Sequence, residues 1–140
     1  HCECYKTARL LGEALGLAKD DYLVTFQSRF GKAEWLQPYT APTLEALGQQ
    51  GVRRVDVMCP GFVSDCLETL EEIALEVKAA FLEEGGEQFH YIECINDSPV
   101  WIQAMHSLTM THMSGWPLEP ASDADRSASR QAALAMGAGN

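Results

Sequence analysis

Residues 53–95, RRVDVMCPGFVSDCLETLEEIALEVKAAFLEEGGEQFHYIECI, hold the pattern that decides the fold. Val55 and Val57 alternate with charged residues at the period of a strand, and Pro60-Gly61 ends that run. From Ser64 or Asp65 to Glu84 the apolar residues return at helical spacing. Leu67, Leu70, Ile73, Ala74, Val77, Ala80 and Phe81 make one stripe, which Gly85-Gly86 closes. EQFHYIECI then reads as another strand. Strand, helix, strand over this length means two parallel strands joined by a crossover helix.

Working outward, CYKTARLLGEALGL (residues 4–17) has helical periodicity through Ala8, Leu11 and Leu15. DYLVTFQS (residues 21–28) reads as a buried strand, and TLEALGQQG (residues 43–51) as a short helix ending at Gly51. DSPVWIQAMHSLT begins a last helix, with Asp97 or Ser98 as cap and Pro99 in its first turn. Beyond Trp116 the residues are small and polar, so residues 117–140 are expected to form a disordered tail. The order α-β-α-β-α-β-α predicts an α/β protein: a three-layer Rossmann-like sandwich around a parallel sheet, filling residues 1–116.

Composition narrows the partners. A formal net charge of −10 over 140 residues argues against nucleic acid and anionic membrane surfaces, and suits cations. No apolar run approaches the roughly 20 residues of a bilayer span. Five cysteines without a framework spacing and no secretory leader point to reduced thiols in the cytoplasm. The sequence starts at His1 directly in helical periodicity, which reads as the truncated start of a longer protein.

Open α/β sheets bind ligands beyond the carboxyl ends of their strands. That directs attention to residues 27–39, 60–65 and 96–99. One feature begins there: Asp65, Glu68, Glu72 and Glu76 run along the long helix, the three glutamates four residues apart. Like charges at that spacing cost a helix about 0.2–0.5 kcal/mol per pair. At 100° per residue the acidic line lies roughly opposite the apolar stripe, which suits a solvated face. Against that, Lys78 is the helix's single lysine and lies off the line. A ladder of carboxylates at a strand end also suits a divalent cation held loosely by oxygen ligands. Spacing alone leaves both readings open.

Three blocks in order, VTFQSRFGKAEWLQPYT, GVRRVDVMCPGFVSDCLETLEEI and HYIECINDSPVWIQAM, resemble the C-terminal half of the ferrochelatase family. The resemblance spans about residues 1–110. It implies two Rossmann-like domains facing each other across a porphyrin cleft, where ferrous iron enters protoporphyrin IX. Carried over by position, Glu68 matches the active-site glutamate, and Glu72 and Glu76 match acidic positions trailing away along a metal path. Asp65 joins them in the expected metal set, while Ser28 and Trp35 match residues lining the porphyrin pocket. Arg29 reads either as a partner for a propionate or as a solvated arginine beside Gly31, and at the cleft wall burial is expected to raise the Glu68 pKa. Cys66 stands where animal members carry a histidine.

The resemblance implies no tightly bound cofactor; iron is substrate. No cysteine follows Cys94, so no iron–sulfur cluster is expected. The family's catalytic histidine lies upstream, and none of His1, His90, His106 or His112 sits in its motif. With an N-terminal domain missing as a partner, the polypeptide alone is expected to be inactive. Membrane association of the parent protein is left open. Two alternatives remain: a piece of a coproporphyrin ferrochelatase or related chelatase, and a non-catalytic metal-binding α/β module.

Overall fold

A computed structural model describes residues 1–29 and 31–139. These residues divide into two compact units, His1–Ile102 and a second that begins at Gln103. In chain order the elements are α1 (Cys2–Leu15), a short 3-10 turn (Lys19–Asp21), α2 (Thr40–Gln49), β1 (Arg54–Met58), α3, β2 (Gln88–Ile92), α4 (Pro99–His112) and α5 (Asp123–Ala135). The helix α3 has two parts: Glu68–Val77 is π-wound and Lys78–Glu83 continues as regular α-helix.

The crossover unit forms as its pattern predicts. β1 and β2 pair in parallel, in register from Arg54 opposite Gln88 to Met58 opposite Ile92. Both strands alternate strictly. Val55, Val57, Phe89 and Tyr91 turn to the helices, while Arg54, Asp56, Gln88 and His90 face outward. On the open face Arg54 grips Asp56 through two hydrogen bonds of 2.9 and 3.1 Å, and His90 Nδ1 lies 3.1 Å from the same carboxylate. The Arg54 guanidinium holds the Asp56 pKa below its ordinary value. The structure is therefore α/β with a small parallel sheet, covered by helices on one face.

The core lies between that face and α2 with α3: Leu44, Ile73, Val77 and Phe81 are buried, with Ala41, Leu47 and Cys59 packed around them. Full burial of a residue such as Phe81 contributes about 1.5–3 kcal/mol. The two helices come close because Gly48 has no side chain. A Cβ there would stand 2.9 Å from the Phe81 carbonyl oxygen and 3.0 Å from that of Glu84. The helix then stops where expected: Gly85 takes φ 106°, and the Gly86 N–H closes on the Phe81 carbonyl at 3.0 Å.

Three expectations need correction. Residues 21–28 are extended but form no strand; Phe26 makes a single parallel bridge to Tyr39. The partner segment cannot prolong the ladder, because Tyr39 is already the N-cap of α2. Second, the face of α3 that packs is Thr69, Ile73, Val77 and Phe81, spaced by four. Leu67 and Leu70, assigned to the stripe, are 70% and 50% exposed. The acidic line therefore runs beside the buried line, not opposite it, and Glu68 and Glu72 are half-buried. Third, the stretch expected to be structureless carries α5. Ser122 Oγ accepts the Asp125 N–H at 3.1 Å and the Asp125 carboxylate accepts the Ser122 N–H at 3.2 Å, a complete capping box. Among the described residues no helix is long and apolar enough to cross a membrane.

Candidate functional site

The site begins where the bridge at Phe26 pinches off a loop. The Phe26 N–H donates to Pro38 at 2.8 Å and the Thr40 N–H to Phe26 at 3.0 Å, so residues 26 and 40 are fixed together. Inside that loop Trp35 Nε1 donates to the Gln27 carbonyl at 2.8 Å, which holds the indole half-buried against the loop base. Ser28 takes φ 57°, a left-handed conformation uncommon for a residue with a Cβ. Strain of this kind persists where surrounding contacts over-determine it. Here the hydroxyl of Ser28 donates to Glu72 Oε2 at 2.5 Å, the length of a charge-assisted bond.

A cavity of about 450 Å³ opens between this loop and the helices. Phe26, Trp35 and Tyr39 give it aromatic walls, and Gln27, Ser28, Arg29, Glu72 and Glu76 line it too. Arg29 is exposed and donates to the Lys32 carbonyl at 2.9 Å. No histidine is among the lining residues, and among the described residues no three His, Cys, Asp or Glu side chains converge as a metal cage. An apolar slot rimmed by one cation and two carboxylates suits a flat aromatic molecule beside a loosely held cation.

Glu68 is held from behind. Its backbone carbonyl accepts Gln27 Nε2 at 2.7 Å, and its carboxyl sits below the ordinary value because the Cys66 thiol and its own backbone N–H bond to it. The expected rise does not occur, since these hydrogen bonds to the charged form outweigh burial.

Asp65 has a different environment from the three glutamates. Tyr91 donates to its Oδ1 at 2.7 Å and Asn96 Nδ2 to its Oδ2 at 2.8 Å, while the Cys94 N–H lies 3.4 Å away. In return the Asp65 N–H donates to Asn96 Oδ1 at 2.9 Å. Asn96, with Tyr91, holds this carboxyl well below the usual carboxylate range. Burial pushes the Tyr91 hydroxyl up, and pushes the nearby Cys59 thiol up to about 11. Both oxygens of Asp65 are thus engaged in tying the start of α3 to the end of β2.

Residues 1–113 match the family model of ferrochelatase. The chain belongs to the ferrochelatase family. It is 61% identical over 99% of its length to the ferrochelatase of Polaromonas sp. (strain JS666), and 60% identical over 99% to that of Azoarcus sp. (strain BH72). The ferrochelatase of Nitrosomonas europaea is 59% identical over 99% of the chain. The chain spans 38% of the length of each of these relatives.

Within this ferrochelatase segment the structure brings Ser28, Arg29, Trp35, Glu72 and Glu76 to one cavity. It sets Glu68 on the same helix face one turn earlier, and Asp65 in its own network. The sequence reading missed Gln27, whose amide reaches Glu68, and Tyr91 and Asn96, which occupy Asp65. Gln27 stood inside the first recognised block without a role. Asn96 opened a loop singled out for scrutiny, and Tyr91 read only as a strand residue.

Proposed function

We propose that the protein containing this chain inserts ferrous iron into protoporphyrin IX to form protohaem, and that the chain supplies one wall of the cleft. What supports this reading is the cavity itself, lined by Trp35, Ser28, Glu72 and Glu76 inside a segment that matches the family model. The reaction exchanges two pyrrole N–H protons for one Fe²⁺: the ring nitrogens bind the metal and two protons leave. Trp35 packs against the macrocycle and Arg29 meets a propionate. Glu76, Glu72 and Glu68 pass the cation towards the ring as weak oxygen ligands, and tight ligands would trap it.

A carboxyl held ionised is a better metal ligand than a proton acceptor near neutral pH. Glu68 therefore delivers metal. The base that takes the pyrrole protons comes from a second domain, for which the greater length of the relatives leaves room. The same domain would complete the cleft, and a second helical layer on the open face of the sheet would complete the three-layer form. On its own the 140-residue chain has one wall and no base, and so is inactive. The reaction belongs in the cytoplasm, where five unpaired thiols stay reduced.

The test is zinc or ferrous insertion into protoporphyrin IX by the protein in its gene-encoded length, with and without Glu68→Gln, and by the 140-residue chain. The expected result is turnover by the first, a loss of at least about a hundredfold in the variant, and none from the chain alone. Normal turnover by Glu68→Gln would sink the assignment of the acidic line.

A further inference from the structure

Gln27 joins the loop to the acidic face of α3 at more than one point. Its Nε2 donates to the Glu68 carbonyl at 2.7 Å and lies 3.5 Å from Glu72 Oε2 and 3.4 Å from Ser28 Oγ. Its backbone carbonyl accepts Trp35 Nε1. A carboxamide carries two N–H donors. One is committed to the helix backbone at short range, and the other has the Ser28–Glu72 pair as its acceptors.

The carbonyl it grips belongs to the first residue of the π-wound segment. π-winding replaces the usual backbone pairing with i to i+5 bonds, and such segments are rare overall but frequent at functional sites. Gln27 is half-buried, and the bridge at Phe26 fixes the chain one residue before it. The amide therefore reaches the helix from a fixed base. It sets the distance between the loop that carries Ser28 and Trp35 and the turn that carries Glu68 and Glu72.

We propose that Gln27 is a positioning residue of the metal path: it locks Glu68 and Glu72 in register with Ser28, and its loss weakens the passage of the divalent cation more than the seating of the porphyrin on Trp35. The proposal rests on the reading of the acidic line given above. The Trp35 bond is made to the main chain of Gln27, so side-chain replacements leave the Trp35 anchor in place, while Gln27 itself lines the cavity.

Two variants separate positioning from packing. Gln27→Leu removes the donors and keeps the bulk. Gln27→Glu keeps the shape, loses the amide and sets a further negative charge beside Glu72. If Gln27 merely fills space, Glu is the milder change; if it positions the carboxylates, Glu is the worse. The assay is zinc insertion into protoporphyrin IX by the protein in its gene-encoded length, with KM for zinc and for porphyrin read separately and Tm recorded.

The expected result is a KM for zinc raised about tenfold in Gln27→Leu and more in Gln27→Glu, with the porphyrin KM moved far less and Tm unchanged. Tenfold corresponds to about 1.4 kcal/mol. A zinc KM unchanged in both variants, beside a Glu68→Gln variant that has lost turnover, would overturn the role of Gln27 and leave the site reading standing. So would a fall in Tm with both KM values rising together, or Gln27→Glu behaving like wild type. Normal turnover by Glu68→Gln would take both down.

Discussion

The start of α3 depends on one buried hydroxyl, and removing it is the sharpest test of how the acidic helix is held. Thr69 is fully buried. Its Oγ1 accepts the Cys66 N–H at 3.0 Å and lies 3.1 Å from both Asp65 Oδ1 and the Cys66 carbonyl. It has one proton, so it donates to one of those acceptors at a time. Thr69→Val keeps the shape and deletes both functions. The Cys66 N–H then lacks an acceptor, which costs about 1–3 kcal/mol for a buried donor. Thr69→Ser does the opposite: it keeps the hydroxyl and removes a methyl, worth about 0.8 kcal/mol. Urea unfolding of the chain should therefore rank wild type above Ser and Ser above Val. With a slope of about 2 kcal/mol per molar urea, a loss of about 2 kcal/mol lowers the midpoint by about 1 M. Should Thr69→Val unfold at or above the wild-type midpoint, the hydroxyl adds nothing net, and apolar packing alone holds the helix start.

Two further outcomes follow from the core. Alanine in place of glycine inside an exposed helix normally gains about 1 kcal/mol, but at Gly48 the new Cβ meets two backbone carbonyls at 2.9 and 3.0 Å. Overpacking of this kind costs about 1–3 kcal/mol, so Gly48→Ala should lower the unfolding midpoint; a rise would show that α2 shifts freely against α3. Cys59, lifted to about 11 by burial, stays protonated where an ordinary thiol has begun to ionise. Its contribution to stability is present below about pH 8.5 and is lost as pH rises through about 11. At pH 8 iodoacetamide should therefore modify the exposed Cys2 and Cys4 well before Cys59, as read by peptide mass. Equal rates would contradict the burial.

The crossover unit was legible because its signals agree at every level. Val55 and Val57 alternate, the buried residues of α3 recur, and Gly85 supplies the positive φ that ends it. Residues 21–28 misled because a β-rich apolar run states only that a segment is extended; whether it becomes a strand depends on a partner, and Tyr39 turns into α2 after one bridge. The tail misled for the opposite reason. Composition averages over the stretch, whereas the helix there starts from one local device, Ser122 with Asp125, which the sequence displays plainly.

The candidate site was legible in its residues and not in its geometry. A helical wheel at fixed angle put the acidic line opposite the core, where acids need no explanation. In the folded chain the π-wound turn places Glu68, Glu72 and Glu76 next to Thr69, Ile73 and Val77, along the rim of packed surface. There each like-charge pair still costs about 0.2–0.5 kcal/mol, but Glu72 gains the Ser28 hydroxyl at 2.5 Å. A hydrogen bond to a charged group contributes about 1.5–3 kcal/mol, so one such bond outweighs the repulsion along the line. The compensation comes from a residue 44 positions away in sequence, held by a left-handed backbone that no periodicity signals. A solvated acidic face would not need a strained serine aimed at its middle. That serine, more than the spacing of the acids, is what supports reading the line as part of a site.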